Sequence, residues 1–205
     1  MDFVFDPSLV LYLPLYQLDG ASFVSKDAHG HLCTVTGALW RPDGHYFDGA
    51  DDNIEAPNHS SLQITQATLS SWIKTSDAGA GYRGILTKTS AYVLNMRDNV
   101  FGSYDYVANA ARSSGVNTAD DVWHLLVVTM DSGVASGSGL WVDGELKANV
   151  TLEVSGQSHP VVVGAATAAG AEAFGGTIGE ARVYNRILTP QEIQNIYLAT
   201  KWRYR

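Results

Sequence analysis

Hydrolysis of a glycosidic bond needs two carboxyl groups facing each other across the sugar. This chain offers no pair spaced to do it. Asp51 and Asp52 are adjacent, so an extended backbone points them to opposite faces, and Glu180 is the single acid of its strand-like segment. Glu145 and Glu153 flank a hairpin without a partner at strand spacing. There is no Gly-x-Ser-x-Gly elbow to present a nucleophile and no Gly-x-x-x-x-Gly-Lys loop to cradle phosphates. The residues exclude these enzyme templates and leave binding as the expected activity.

Groups able to bind are easier to find. Tyr82 and Arg83, then Tyr104, Asp105, Tyr106, Asn109 and Arg112, form the densest aromatic and polar set. A tyrosine face can stack on a pyranose while Asn, Asp and Arg bond its hydroxyls. The same tyrosines, two apart, can equally be same-face strand residues packing on a sheet surface. Acids gather in loops, with Asp19 and Asp27 in one and Asp48, Asp51 and Asp52 in another. Calcium takes such oxygen ligands, but Asp-Gly and Asp-Asp are also ordinary turn chemistry. The sequons at Asn58 and Asn149 are read as chance matches.

The elements that must position these groups are strands. Short apolar or alternating runs at 9–15, 45–47, 53–56, 68–74, 84–88, 92–96, 100–106, 122–130, 139–142, 146–150, 161–163 and 177–184 are separated by Gly, Asn, Asp and Ser. Asp143-Gly144 predicts a type I′ hairpin, and the Ala/Gly-rich stretch 164–176 a long loop. Residues 177–197 run from a strand into a helix start: Thr189 as N-cap, Pro190 at the first helical position, Glu192 completing a capping box, and Leu188 stapling onto Ile193. Trp72 and Trp123 lie on apolar strands and are expected in the core. His124, with no second His at ligand spacing, is expected in a structural hydrogen bond.

Bulk properties agree with one all-β domain over 1–205. The 45% hydrophobic and 17% charged composition can bury a large core, and the net charge of -8 argues against a nucleic-acid partner. Cys33 is alone, so no intramolecular disulfide is available. No basic, then apolar, leader is visible, and the apolar stretch 9–15 is too short for membrane insertion.

Several segments together resemble the laminin G-like, concanavalin A-like jelly-roll family. They are Leu9 to Leu15, Thr36-Gly37-Ala38-Leu39-Trp40, Tyr46-Phe47-Asp48-Gly49-Ala50-Asp51-Asp52-Asn53-Ile54, the Trp72 strand, Ile85 to Lys88, Trp123-His124 with Val127 to Thr129, Leu140 to Gly144, and the closing strand and helix. Only 96–121 matches none of the family's pattern. The resemblance implies a two-sheet antiparallel jelly-roll sandwich with a short C-terminal helix. It implies a calcium site drawing on Asp19, on the Asp48-Gly49 turn and on Glu180. It also implies a non-catalytic module for a glycan or polysaccharide, with Tyr82, Tyr104, Tyr106, Asn109 and Arg112 as the candidate contacts. The alternative expectation is a structural or adhesive component of a virus or phage particle, whose partners are other copies of itself.

Overall fold

The computed structural model describes residues 6–205. Its elements are β1 (Leu9–Leu13), β2 (Ser22–Val24), β3 (Leu32–Thr36), β4 (Leu39–Arg41), β5 (Gly44–Asp48), β6 (Asn53–Ala56), β7 (Ala67–Lys74), β8 (Tyr82–Lys88), β9 (Tyr92–Arg97), β10 (Val100–Asp105), β11 (Ala110–Asn117), β12 (Trp123–Met130), β13 (Ser138–Val142), β14 (Glu145–Val150), β15 (Val161–Val163), β16 (Gly175–Tyr184) and helix α1 (Pro190–Thr200). A short 3-10 turn at Ser60–Leu62 precedes β7. Two antiparallel sheets result. One runs β14-β13-β12-β7-β16-β5-β4, with β1 also paired to β16, and the other runs β11-β10-β9-β8-β15-β6-β3-β2.

The central strands of the first sheet, β7, β12 and β16, are buried on both sides, which explains their apolar sequences. In β12, Leu126, Val128 and Met130 enter the core between the sheets. The alternating Trp123, Leu125 and Val127 join Trp72, Trp141, Tyr184, Ile193 and Ile196 in a second core beneath α1. The expectation for both tryptophans holds, since Trp72 is 1% and Trp123 9% exposed. Tyr204, just beyond the helix, stacks on Trp72 with ring centres 4.6 Å apart.

Local signals place the helix. Thr189 Oγ1 accepts the Glu192 N–H, and Glu192 Oε2 accepts the Thr189 N–H at 2.7 Å, closing the capping box. Leu188 and Ile193 are buried in one cluster, as a staple requires. The β13–β14 hairpin turns on Asp143 and Gly144 at φ 54° and 82°, the left-handed pair of a type I′ turn.

Four strands are absent from the sequence reading. β2 and β4 are three residues each, too short for periodicity to register. β3 exposes Leu32, Thr34 and Thr36, so its apolar content does not mark a buried face. β11 reads Ala-Ala-Arg-Ser-Ser-Gly-Val-Asn and is held by its pairing to β10 rather than by apolar alternation. Its place at the sheet edge makes that composition tolerable.

Candidate functional site: a tyrosine pocket on the outer sheet face

The second sheet turns one face to the core through Ile85, Leu94, Met96 and Phe101. Its other face carries Tyr82, Gly84, Asn95, Gly102 and Tyr104, because Asn95 pairs with both Gly84 and Gly102 and side chains alternate along each strand. Of these, Tyr82, Gly84, Asn95 and Tyr104, with Thr87, Val93, Tyr106, Ala166 and Glu172, line a pocket of about 290 Å³. Tyr82 and Tyr104 meet edge to face at 5.7 Å, and Tyr104 and Tyr106 at 5.4 Å. The three tyrosines singled out from sequence therefore form one aromatic wall.

The wall is braced from the β10–β11 turn. Buried Asp105 accepts the backbone N–H groups of Val107 and Ala108, shaping the turn that carries Tyr106 and Asn109. Tyr104 donates its hydroxyl proton to Asn109 Oδ1, so Asn109 fixes the ring rather than lining the pocket. Burial, helped by the Glu172 and Tyr104 charges, pushes the Tyr106 hydroxyl up to about 12.

The opposite wall comes from the Ala/Gly-rich loop. Its Glu172 carbonyl accepts the Gly84 N–H at 2.8 Å, and Ala166 donates to Ala171 O at 2.8 Å, so the loop is tied to the sheet and to itself. Gly84 is required by this approach: a Cβ there would lie 2.4 Å from the Ala165 carbonyl carbon. Sequence reasoning missed Asn95 and Glu172. Both carry a signal in hindsight, Asn95 as the polar break in β9 and Glu172 as the lone charge between 164 and 176.

Arg112 is not brought to this wall. It pairs with Ser103 while Tyr104 pairs with Ala111, so Arg112 projects from the opposite face. There its Nε donates to Thr151 O at 2.8 Å and its Nη2 lies 3.3 Å from Asp105 Oδ2. It latches β11 to the chain beyond β14. Arg83 also leaves the set, since it pairs with Asp77 at 3.0 Å.

The expected calcium ligands do not converge. Asp48 stands opposite Gly175 on β16, and Glu180 lies five residues further along, about 16 Å away at strand rise. Glu180 is buried in an ion pair with Arg182 at 2.9 Å. Asp19 is exposed and accepts the Gly20 N–H. As a set, Asp19, Asp48, Gly49 and Glu180 do not fit one ion. What the fold gathers instead is Asp48, Asp51 and Asp52, with carboxylate oxygens within 4.8 Å of one another. Their turn accounts for two of them: Asp52 accepts the Asp48 N–H and Asp48 accepts the Ala50 N–H.

His124 holds Asp143 at 2.8 Å through Nδ1 and Asp120 at 3.2 Å through Nε2, the structural role expected of it.

No curated protein is matched by the sequence. Among solved structures, the chain is similar to Trypanosoma rangeli sialidase captured as a covalent intermediate with 2,3-difluorosialic acid (TM-score 0.73, 19% identity, 98% of this chain and 34% of that one). It is similar to the receptor-binding domain of botulinum neurotoxin D (TM-score 0.71, 16% identity, 95% and 53%). It also resembles the serotype D ligand-binding domain in complex with N-acetylneuraminic acid (TM-score 0.69, 16% identity, 94% and 51%). This chain thus spans about a third of the sialidase and about half of the toxin domains, and the likeness is one of fold. A family model described as the concanavalin A-like lectin/glucanases superfamily matches residues 48–194, and the chain belongs to that family.

Proposed function

We propose that this chain is a non-catalytic carbohydrate-binding module whose ligand site is the pocket of Tyr82, Tyr104 and Tyr106. The observation that carries the reading is the convergence of three tyrosine rings with Asn95, Thr87 and Glu172 on one sheet face. Stacking surface and convergent hydrogen-bonding groups are what a sugar ring needs. The family and the glycan ligands named for the similar structures support the same class. No observation favours the particle-component alternative.

The pocket's charge narrows the ligand. Glu172 is its single charged lining residue, and an anionic sugar brought against that carboxylate would be repelled. Arg97 packs on the Tyr82 ring at 5.2 Å and lines the neighbouring groove, beside Asp98 at 3.5 Å. A neutral saccharide fits this arrangement, unlike the sialic acid of the structural neighbours.

The same groups support binding rather than hydrolysis. One carboxylate lines the pocket, where glycoside hydrolysis asks for two. A tyrosine nucleophile would have to ionise readily, and Tyr106 is shifted the other way. Titration calorimetry against neutral and sialylated oligosaccharides tests the reading. Saturable binding of a neutral sugar, lost in Tyr104→Ala, supports it. Preference for the sialylated ligand overturns the neutral assignment, and silence with both overturns the pocket.

A further inference from the structure

Three of the six histidines meet at the opposite end of the second sheet, remote in sequence from the tyrosine pocket. His29 and His31 lie on the turn entering β3, and His59 precedes the 3-10 turn Ser60–Leu62. Their ring centres form a nearly regular triangle: 5.7 Å from His29 to His31, 5.9 Å from His29 to His59, and 5.1 Å from His31 to His59. Imidazoles bound tetrahedrally at a Zn–N distance of about 2.0–2.1 Å place their ring centres roughly 5 Å apart. We propose that His29, His31 and His59 form a binding site for one divalent transition-metal ion of the zinc class.

The surroundings are those of a supported ligand set. His31 is buried at 5% exposure, and its Nε2 lies 2.9 Å from the Val10 carbonyl. A proton donated there leaves Nδ1 with a free lone pair, the usual way a neighbouring carbonyl fixes the metal-binding tautomer. The Asp27 carboxylate is fully enclosed 3.8 Å from the same Nε2. It is pinned by the N–H groups of Tyr12, His29 and Gly30, so it also shapes the turn that presents His29. His59 Nδ1 stands 2.9 Å from Ser61 Oγ. In the tautomer that donates to that hydroxyl, Nε2 is the free ligand. The Ser61 N–H also reaches Nδ1 at 3.2 Å, and an ion held through Nε2 selects between the two arrangements.

The ring nitrogens are not all within 4.8 Å of one another. Closing on an ion asks for rotation of His29 and His59, both exposed, while His31 stays fixed. Imidazole donors suit zinc, copper and nickel and are foreign to calcium, which separates this site from the Asp48, Asp51 and Asp52 cluster.

The test is zinc titration of the full chain after chelator treatment, followed by calorimetry, with Co2+ absorption as a report of nitrogen ligation. The expected result is one saturable site per chain, with affinity falling at least about tenfold in His29→Ala and in His59→Ala. His29 has no side-chain hydrogen bond among those described, so His29→Ala is expected to melt like the parent without zinc and isolates ligation from folding. The double variant Asp48→Asn/Asp51→Asn should bind zinc unchanged. Absence of saturable binding overturns the site, as does binding that survives His29→Ala/His59→Ala or disappears with Asp48→Asn/Asp51→Asn.

Discussion

Trp72 donates its indole N–H to Thr200 Oγ1 at 2.8 Å, and Thr200 passes its own proton to Ile196 O at 2.7 Å. A central strand of the first sheet is thereby keyed to the last turn of α1, inside a core that water does not reach. Thr200→Val keeps the shape but strands a buried indole donor, at a cost of about 1–3 kcal/mol. Trp72→Ala also opens a cavity under Tyr204 and should cost about 3–5 kcal/mol. Urea unfolding followed by circular dichroism measures both, and the ranking is the expectation.

His124 gives a pH signature. The hydrogen bond that His124 donates to Asp143 raises its pKa in the folded protein, with Asp120 adding to the effect against burial. The unfolded ring titrates near 6.5, so the added stability is complete below that value and is lost as pH rises through the folded pKa. Asp143→Asn retains a residue that accepts φ 54° while removing the charge. In that variant the His124 imidazole should titrate at lower pH by NMR, and the decline in stability on the alkaline side should flatten.

Acid should act through the helix start. Arg186 hydrogen-bonds both oxygens of Glu192, at 3.0 and 2.7 Å, and draws that carboxyl down to about 2. Its contribution is present above the unfolded value near 4.5 and fades as pH falls toward 2. Both partners are about a third exposed, so the effect is screened and modest. Glu192→Gln should reduce the slope of stability between about pH 5 and 2, measured by thermal melts at low salt.

In the pocket, Tyr104→Ala should weaken sugar binding by roughly tenfold or more, the loss of a central aromatic contact. Tyr104→Phe keeps the ring and frees Asn109, and is expected to show a smaller defect. Glu172→Lys should move preference toward acidic sugars. Parallel calorimetry with neutral and sialylated ligands reads all three.

Where sequence and structure agree, the signal is local. The capping box at Thr189, the Asp143-Gly144 turn and the two-sided apolar strand at β12 are each written in fewer than ten neighbouring residues. The tyrosine wall was half legible, because Tyr104 and Tyr106 are close in sequence while Tyr82 arrives through the pairing of β8, β9 and β10. Arg112 was misplaced for want of a register: one residue along β11 decides which face a side chain joins. Glu180 was misread for a related reason. Its segment shows an acid in a strand, but only the tertiary packing shows that the acid is enclosed with Arg182, under the Tyr12 ring. Glu172 reaches the pocket through a loop whose conformation its Ala and Gly residues leave open.

The origin of that pocket's two walls has a further consequence. Tyr82 and Tyr104 are strand residues, rigid because the sheet is, whereas Glu172 belongs to a connection tied to the sheet by its own carbonyl, which accepts the Gly84 N–H and leaves the side chain outside the ladder. Substitutions at the loop tip can change charge and reach without disturbing the ladder underneath. For the proposed sugar site, affinity and selectivity are thus expected to be separable: one would reside in the β-scaffold, while the other could be re-edited at a few positions between 164 and 174.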